Sequence, residues 1–355
     1  MNFYSSKTKE RHHEKLKQKV SIIGASGYSG SELTRLLSDH PAVEILHLYA
    51  HGQAGKKAAE VYPYLETDLT YETYEGDLSS NIYFLALPHG EALKLVPDLL
   101  KAGKKVIDLS GDFRIHSVSV HEKYYKNTKP EGSTLQYGQP ELFKEDIKKA
   151  TAISNPGCYA TSITLALAPI LTDAHLKAET ESVTVNALSG MSGAGRSSKT
   201  IHSFSEMSGN VWAYKIGVHQ HSPEILQNFG LDIACPPFPF TFVPMVAPLV
   251  RGIYTTTTVK LKQKLSLEEA HARFRDFYKN EPFVRIKNEA PEIRGVAYTN
   301  YCDIGIQYCD DFGNIVIISA IDNLIKGAAG QAIQNMNLML GLSEETALKS
   351  GFFGQ

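Results

Sequence analysis

The 355-residue sequence is poor in cysteine and carries no large excess of either charge. Its four cysteines, Cys158, Cys235, Cys302 and Cys309, are too few and too irregularly spaced for a disulfide scaffold, and no CxxC pair indicates a zinc site. Lysine and arginine number 36 and aspartate and glutamate 38, so the formal charge of -2 excludes the strong positive field of an unspecific nucleic-acid-binding protein. These features are typical of a reduced, cytoplasmic protein.

Long apolar segments are also absent, and no stretch is long enough for a membrane helix. The first nineteen residues (MNFYSSKTKERHHEKLKQK) lack the apolar centre of a signal peptide, which argues against secretion. We expect residues 1–19 to form a polar tail, and we expect neither a membrane nor a nucleic-acid partner.

A chain of this length exceeds the size at which one hydrophobic core keeps growing, so two domains are expected. Residues 20–157 alternate short β-branched runs with stretches of helical spacing. The predicted strands are 19–24, 43–50, 81–87 and 105–109, and the predicted helices are 31–38 and 91–101. Alternating strands and helices predict an α/β domain with a doubly wound parallel sheet.

The pattern changes in residues 158–322, where longer strands are separated by long loops. Strands are predicted over 182–188, 254–261 and 314–321, which indicates an α+β domain with a largely antiparallel sheet. In the last segment, 323–355, apolar residues of 323–340 recur on one helical face. This spacing predicts a long helix that packs back on the first domain.

A glycine-rich turn follows the first predicted strand. Gly24, Gly27 and Gly30 in GASGYSG stand between that strand and the first helix, where backbone amides at a helix N-terminus can approach a pyrophosphate. The spacing is GxxGxxG rather than GxGxxG, and an ordinary glycine turn is the alternative. Its position at the start of an α/β region favours dinucleotide binding.

The segment after the second predicted strand indicates which dinucleotide binds. Residues 46–57 (LHLYAHGQAGKK) contain no carboxylate that could hold the ribose hydroxyls, as NAD-selective sites usually do. His51, Lys56 and Lys57 could neutralise a 2′-phosphate instead, although the lysines could equally belong to a solvated loop. The charge pattern therefore favours NADP over NAD.

Cys158 has a sequence setting that the other three cysteines lack. In residues 154–161 (SNPGCYAT), Pro156 and Gly157 predict a tight turn, and the apolar sequence SITLALAPIL that follows predicts a helix. Cys158 would lie in the first turn of that helix, where unpaired amides and the helix dipole favour a thiolate. The sequence therefore indicates a nucleophile, with a buried structural cysteine as the alternative.

An acid–base group would have to accompany such a nucleophile, and histidine has the suitable pKa. His219 and His221 in residues 214–225 (YKIGVHQHSPEI) come directly before Ser222, Pro223 and Glu224, which have the pattern of a helix cap, a first-turn proline and a first-turn acid. In an extended segment the two histidines would point to opposite faces, so only one of them need act. An ordinary surface or core role is the alternative for each.

Two further segments are suited to contact anions. Residues 190–199 (GMSGAGRSSK) contain Arg196 and Lys199 among glycines, and they could contact a substrate or cofactor phosphate or form a flexible loop. Residues 108–114 (DLSGDFR) follow the carboxyl end of a predicted strand, where ligands bind in α/β domains. Arg114 in this segment could bind substrate, or it could pair with Asp112 or another carboxylate.

Taken together, eight segments resemble the N-acetyl-γ-glutamyl-phosphate reductase family, which is related to the aspartate-semialdehyde dehydrogenases. They are GASGYSG, ALPHG, DLSGDFR, YGQPEL, SNPGCYAT, SGAGR, HQHSPEI and DNLIKGAAGQAIQNMN. The resemblance implies a Rossmann-type NADPH-binding domain and a catalytic domain similar to that of glyceraldehyde-3-phosphate dehydrogenase. It also implies reduction of the acyl phosphate to the semialdehyde in arginine biosynthesis, by a homo-oligomer that is a dimer or a tetramer.

The resemblance further implies the residues of the site. Cys158 matches the family nucleophile, and His219 and His221 match its paired histidines, with His221 the favoured acid–base partner. Ala160 departs from the proline that the family usually has there, and we expect only a small effect on helix entry. The residues expected to bind the cofactor are Gly24, Ser26, Gly27, Tyr28, Gly30, His51, Lys56, Pro88, Ser189, Gly190, Gly193 and Asn323. Those expected to bind substrate are Arg114, Ser154, Asn155 and Arg196, and no metal site is expected.

Three other functions are compatible with parts of this pattern. A reductase of carrier-protein-linked aminoadipyl phosphate in lysine biosynthesis would keep Cys158 and the NADP site, although the modest net charge gives no support to an acidic carrier domain as partner. A non-catalytic NADP-binding sensor would need Cys158 only as a buried residue. A cysteine hydrolase would leave the GASGYSG turn unexplained.

Overall fold

The computed structural model describes residues 17–196 and 204–349. Most of the predicted tail 1–19, Lys199 and the last residues of the 323–355 segment lie outside the described residues. Across these two ranges, no helix is long and apolar enough to cross a membrane.

The first sheet has seven strands. They are β1 (Gln18–Ile23), β2 (Val43–Tyr49), β3 (Tyr71–Glu72), β4 (Ile82–Leu85), β5 (Lys105–Asp108), β6 (Gln136–Tyr137) and β7 (Ala152–Ser154). The helices of this region are α1 (Tyr28–Ser38), α2 (Ala58–Val61), α3 (Ala92–Lys101), α4 (Val118–Tyr125) and α5 (Pro140–Lys149), and His51–Gln53 forms a 3-10 turn. The strand order is β3-β2-β1-β4-β5-β7-β6, and every neighbouring pair is parallel. The predicted doubly wound α/β sheet is therefore confirmed.

The central strands of this sheet are covered on both faces, which explains their continuous apolar sequences. Val20 of β1 packs on one face with Leu33 of α1, and Ile23 packs on the other with Val96 of α3. The strand order reverses direction between β1 and β4, and the loops after β1, β4, β5 and β7 meet at one edge. This edge is where a ligand binds in such sheets.

The second sheet also has seven strands. They are β8 (Thr180–Ser189), β9 (Trp212–Ala213), β10 (Phe240–Val246), β11 (Ile253–Leu261), β12 (Val284–Lys287), β13 (Cys302–Cys309) and β14 (Asn314–Ile321). Their helices are α6 (Cys158–Leu171), α7 (Ala174–Glu179), α8 (Phe204–Met207), α9 (His221–Asn228) and α10 (Leu267–Phe277), with 3-10 turns at Met191–Ala194 and Ile293–Gly295. The order is β12-β13-β14-β11-β8-β10-β9, with four antiparallel and two parallel pairs. The predicted α+β character of this region is confirmed.

Helix α6 lies in the core against this sheet, and every residue after Cys158 in it is buried. Alternate residues of β8, such as Val185 and Ala187, pack toward that core. Thr184 and Asn186 point to the opposite face of the sheet and are exposed. One face of the second sheet is thus covered by helices, while the other carries exposed side chains.

Most of residues 323–340 are helical, as their spacing predicts, but the first turn is not an α-helical one. A π-helical turn (Ile325–Ala329) precedes α11 (Gly330–Met339). A Cβ on Gly327 in this turn would lie 2.8 Å from Cβ of Cys158, so the turn passes directly over the start of α6. The spacing indicated the helix but not its π-helical first turn, which packs against a part of the chain distant in sequence.

The C-terminal segment packs on the first sheet. Ala332 and Met336 of α11 share a buried cluster with Val20 of β1. Nζ of Lys326 donates a 2.6 Å hydrogen bond to Oε1 of Glu141 in α5, and both side chains are completely buried. The domain boundaries at residues 19, 157 and 322 stay predictions.

Candidate active site

Cys158 is the first residue of α6, and the extended Gly157 occupies the N-cap position before it. The first amides of a helix have no intrahelical acceptor, and the N–H of Thr161 is the one that donates back to O of Gly157, at 2.8 Å. A Cβ on Gly157 would lie 2.2 Å from Nε2 of His221, so only glycine leaves room for the imidazole. The candidate nucleophile and His221 therefore meet at the start of α6.

The Cys158 side chain is half-buried, and desolvation raises its pKa to about 11, although the positive charge of Arg114 opposes the rise. Burial thus opposes the thiolate that the helix start was expected to favour. Desolvation prevails because the π-helical turn at Gly327 and the His221 ring both lie against the start of α6. A base is needed for Cys158 to attack.

His219 and His221 lie side by side, with ring centroids 4.7 Å apart. Both side chains are buried. The expectation that they point to opposite faces is wrong, because turns rather than an extended strand precede them. The predicted helix cap at Ser222 is also wrong, since α9 begins at His221 with Gln220 in the N-cap position. The pair is therefore a single buried unit beside Cys158.

The two histidine rings differ in their hydrogen bonds. Nδ1 of His219 accepts the backbone N–H of His221 at 3.1 Å, so the proton of a neutral His219 ring lies on Nε2. Tyr159 and Tyr214 contact the His219 ring edge-on, and burial together with Lys215 lowers its pKa to about 3. Burial and the His219 ring hold the pKa of His221 well below its usual value. His221 is therefore neutral and able to accept a proton.

Glu224 was predicted only as a first-turn acid, yet it is completely buried beside the turn before Cys158. Its Oε1 accepts the N–H of Gly157 at 2.7 Å and the hydroxyl of Tyr137 at 2.6 Å. Its Oε2 lies 3.8 Å from Nη1 of Arg114. Burial raises the pKa of Glu224, and Arg114 opposes that rise. No local signal could have shown this role, because the partners are far apart in the sequence.

Arg114 does not pair with Asp112. Its Nε donates to O of Asn155 and its Nη2 to O of Leu109, both at 2.8 Å. Asp112 instead accepts the N–H of Gly90 at 2.7 Å. Backbone oxygens thus fix the guanidinium at the carboxyl ends of β5 and β7, where its charge acts on Cys158.

Ser154 and Asn155 lie at the carboxyl end of β7 and are completely buried. Nδ2 of Asn155 donates to O of Ala328 at 3.1 Å, and its Oδ1 accepts from Nδ2 of Asn335 at 3.1 Å. Oγ of Ser154 has no hydrogen-bond partner within the described ranges. The Asn155 amide is thus engaged within the protein, and a substrate contact by either residue stays a prediction.

The GASGYSG segment runs from the end of β1 into the first turn of α1. Gly24 has a φ of +91°, and a Cβ on it would lie 2.2 Å from O of Ala86. A Cβ on Gly30 would lie 2.3 Å from O of Gly24, so close packing requires glycine at both positions. A Cβ on Gly27, the N-cap of α1, would have only O of Gly24 nearby, at 3.5 Å, and α1 has no side-chain cap. The open space and unpaired amides in front of α1 fit a pyrophosphate.

Ser26 and Tyr28 belong to the same turn. O of Ser26 accepts the hydroxyl of Tyr62 at 2.9 Å and Nη1 of Arg196 at 3.1 Å. The Arg196 guanidinium also lies over the Tyr62 ring, 5.0 Å from its centroid. Arg196, which was expected to bind substrate, therefore contacts the glycine-rich turn in this structure.

Exposed basic residues follow β2. His51 begins the 3-10 turn after this strand, and Lys56 lies shortly beyond it. Lys57 pairs with Asp68 at 3.2 Å, whereas His51 and Lys56 have no carboxylate partner in the part of the chain that the structure describes. Pro88 is exposed in the loop after β4, the strand next to β1. These positions suit a dinucleotide with a 2′-phosphate.

The four predicted cofactor residues of the second sheet lie together. Nδ2 of Asn323 donates to Oγ of Ser192 at 2.9 Å. A Cβ on Gly193 would lie 2.9 Å from Oγ of Ser189 and 3.7 Å from Nδ2 of Asn323, and Oγ of Ser189 donates to O of Gly190 at 3.0 Å. The loop after β8 is thus fixed against the chain that follows β14.

Two ion pairs join α1 to the second sheet through one arginine. No sequence pattern indicated this link. Nη1 of Arg251 lies 2.7 Å from Oε1 of Glu32 in α1, and its Nε lies 3.0 Å from Oδ2 of Asp322 after β14. The guanidinium also lies over the Tyr298 ring, 4.3 Å from its centroid. This link holds α1 against the loops of the second sheet.

Comparison with known proteins identifies the family. A semialdehyde dehydrogenase NAD-binding domain model matches residues 19–150, and a semialdehyde dehydrogenase dimerisation domain model matches 158–323. The N-acetyl-γ-glutamyl-phosphate reductase of Pelodictyon phaeoclathratiforme is 56% identical over 329 residues, which cover 93% of this chain and 98% of the relative. The protein of the same name from Desulfotalea psychrophila is 44% identical over 341 residues, with 93% and 98% coverage. The chain belongs to the N-acetyl-γ-glutamyl-phosphate reductase family. The resemblance inferred from the sequence motifs is confirmed.

Solved structures share the fold of this reductase-family chain. Aspartate semialdehyde dehydrogenase II of Vibrio cholerae, complexed with ASA, has a TM-score of 0.69 at 17% identity and covers 92% of this chain and 99% of its own. The aspartate semialdehyde dehydrogenase of Candida albicans with NADP has a TM-score of 0.65 at 17% identity, with 91% and 98% coverage. At these identities the likeness shows the fold alone, a Rossmann-type domain with a second mixed-sheet domain.

Proposed function

We propose that the protein reduces N-acetyl-γ-glutamyl phosphate to N-acetylglutamate 5-semialdehyde with NADPH in arginine biosynthesis, releasing phosphate through a thioester on Cys158. The observation that carries the proposal is the placement of Nε2 of His221 against Gly157, directly before Cys158. The glycine turn at α1 and the basic residues after β2 fit NADPH. Relatives named for this activity match over nearly their whole length.

In the first step, His221 accepts the thiol proton of Cys158 as the sulfur attacks the acyl carbon. Burial raises the pKa of Cys158 and lowers that of His221, so the resting pair is a thiol and a neutral imidazole. The proton therefore moves while the C–S bond forms. The bond between the acyl carbon and the phosphate oxygen then breaks, and phosphate leaves with the electron pair. Arg114, held by backbone oxygens, stabilises the negative charge beside Cys158.

The bound nicotinamide supplies the hydride that reduces the thioester. The unpaired amides in the first turn of α6 are placed to hold the carbonyl oxygen as it becomes an alkoxide. When the C–S bond breaks, the alkoxide becomes the free aldehyde, and the sulfur recovers its proton from His221. His219 is a positioning residue for His221, since its Nδ1 accepts the backbone N–H of His221.

The proposal extends to assembly and location. The exposed face of the second sheet, with Thr184 and Asn186, is suited to pack against a second copy, and the matching family model describes a dimerisation domain. The protein is accordingly a homo-oligomer, a dimer or a tetramer, and light scattering would give its mass. All four cysteines are free, as is typical of the cytoplasm.

The test follows phosphate-dependent oxidation of N-acetylglutamate semialdehyde by the appearance of NADPH at 340 nm. Wild type and Cys158→Ala are compared with NADP and NAD, and Cys302→Ala serves as the control for loss of an unrelated buried cysteine. We expect turnover by wild type and the control, a slower rate with NAD, and no turnover by Cys158→Ala. A folded wild type that binds NADP and does not oxidise the semialdehyde would overturn the substrate assignment.

A further inference from the structure

His89 lies at the same edge of the first sheet as Cys158 but takes no part in the mechanism above. It lies in the loop after β4, Arg114 lies in the loop after β5, and Cys158 follows β7. These three strands are consecutive neighbours in the sheet. Parallel strands bring their carboxyl ends to one edge, so the three loops open into one cleft.

The His89 ring is held in one orientation by its neighbours. Nδ1 accepts the backbone N–H of Gly111 at 2.9 Å, while the N–H of Gly90 donates to Oδ1 of Asp112 at 2.7 Å. The ring of Tyr125 contacts His89 edge-on, with centroids 4.9 Å apart. Because Nδ1 is an acceptor, the proton of the neutral ring lies on Nε2. The reciprocal bonds therefore fix both the ring and its tautomer.

The remaining ring nitrogen is a donor in a cationic part of the cleft. His89 is exposed, and its Nε2 has no hydrogen-bond partner among residues 17–196 and 204–349. The residues packed on part of the ring, such as Tyr125, shield it from water, and this desolvation and the positive charges of Arg114 and Lys215 lower its pKa to about 4, although Asp112 opposes them. The ring therefore stays neutral near pH 7. Nζ of Lys215 donates to the neutral Oε1 of Gln220 at 2.9 Å rather than to a carboxylate. An anionic group is the complementary ligand for this surface.

We propose that the Nε2–H of His89 donates a hydrogen bond to the α-carboxylate of the substrate and so selects acyl chains that carry this group. The inference rests on the proposed function. The phosphate leaves from the carbon that reacts with Cys158, so the α-carboxylate is the second anion, about 5 Å away across four C–C bonds. The β4 and β7 strands are two strand spacings apart, about 10 Å, which the substrate and the two side chains together can span.

The test compares two replacements of His89. In His89→Asn, Oδ1 can still accept the N–H of Gly111, but the donor at the Nε2 position is lost. In His89→Gln, the amide nitrogen reaches the Nε2 position, so it restores the donor. We expect His89→Asn to raise KM for N-acetylglutamate semialdehyde about 10- to 100-fold, because a hydrogen bond to a charged group contributes about 1.5–3 kcal/mol. His89→Gln should recover part of this loss, and both variants should keep the wild-type Kd for NADP and KM for phosphate.

A second substrate separates carboxylate binding from a structural role. Butanal lacks the carboxylate, so we expect His89→Asn and wild type to oxidise it with equal kcat/KM. An equal loss of kcat/KM with both aldehydes would show that His89 only maintains the loop structure. A raised KM for phosphate would show that His89 binds the phosphate. Either result overturns the inference.

A binding measurement keeps this test independent of turnover. Calorimetry with N-acetylglutamate and saturating NADP should show about 10-fold weaker binding to His89→Asn than to wild type. A wild type that binds N-acetylglutamate and lacks turnover would refute the proposed function alone. Equal binding by the two proteins, or no binding to wild type, would refute the assignment of His89.

Discussion

Replacing Glu224 should loosen the turn that positions Cys158. The carboxylate is completely buried, and its Oε1 accepts hydrogen bonds of 2.7 Å from Gly157 and 2.6 Å from Tyr137. Glu224→Ala leaves both donors unpaired and removes the carboxylate that lies 3.8 Å from Arg114. Breaking a buried ion pair from one side costs about 3–5 kcal/mol, and we expect the free energy of unfolding to fall by about this amount.

Two matched variants separate the charge of Glu224 from its hydrogen bonds. In Glu224→Gln the amide oxygen can still accept from Gly157 and Tyr137, while the amide nitrogen replaces the oxygen that faces Arg114. We expect an intermediate loss of about 1–2 kcal/mol, the difference between charged and neutral hydrogen bonds. Tyr137→Phe keeps the charge and removes one donor, so about 1 kcal/mol should be lost.

Urea unfolding measures these losses, and the phosphate-dependent oxidation assay measures kcat under conditions in which each variant is folded. We expect kcat to fall about 10- to 100-fold in Glu224→Ala, because a displacement of about 1 Å at a reacting group can cost about a hundredfold. Wild-type stability or wild-type kcat in Glu224→Ala would refute the view that this carboxylate positions the Cys158 turn.

Alkylation of Cys158 by iodoacetamide should accelerate as the pH rises toward about 11, since burial raises the thiol pKa to that value; a rate that levels off near neutral pH would contradict this. Glu141→Gln should destabilise the protein more at neutral than at acidic pH. Desolvation raises the pKa of Glu141, but Lys326 outweighs it and lowers the folded-state value, so the contribution of the pair is present above the ordinary carboxylate pKa and disappears as the pH falls through the lowered value. Equal losses of unfolding free energy at both pH values, measured with urea, would rule out that coupling. The double change His51→Ala and Lys56→Ala should weaken binding of NADP more than of NAD in a fluorescence titration, and equal weakening would assign both residues to a solvated loop.

The sequence was most informative where neighbouring residues decide the structure. Strands β1, β2, β4 and β5 were predicted because burial on both faces of a parallel sheet requires continuous apolar runs. The position of Cys158 at the start of α6 followed from the Pro-Gly turn and the apolar sequence after it. The two domain types followed from the order of these local patterns.

The features that sequence reasoning missed depend on contacts between distant segments. Glu224 bonds to Gly157, and the turn containing Gly327 passes over Cys158; neither contact leaves a local pattern. The side-by-side arrangement of His219 and His221 required knowledge of the turns before α9. The raised pKa of Cys158 likewise results from packing around the helix start, which propensity alone does not show.

The most direct test of the thioester mechanism omits phosphate. Wild-type protein is mixed with N-acetylglutamate semialdehyde and NADP, and NADPH formation is followed by stopped flow while peptide mass spectrometry locates any acyl group. Without phosphate to release the acyl group, we expect a burst of one NADPH per active site and one N-acetylglutamyl group on the peptide containing Cys158. A burst with no acyl group on Cys158, or the same adduct in Cys158→Ala, would contradict the mechanism.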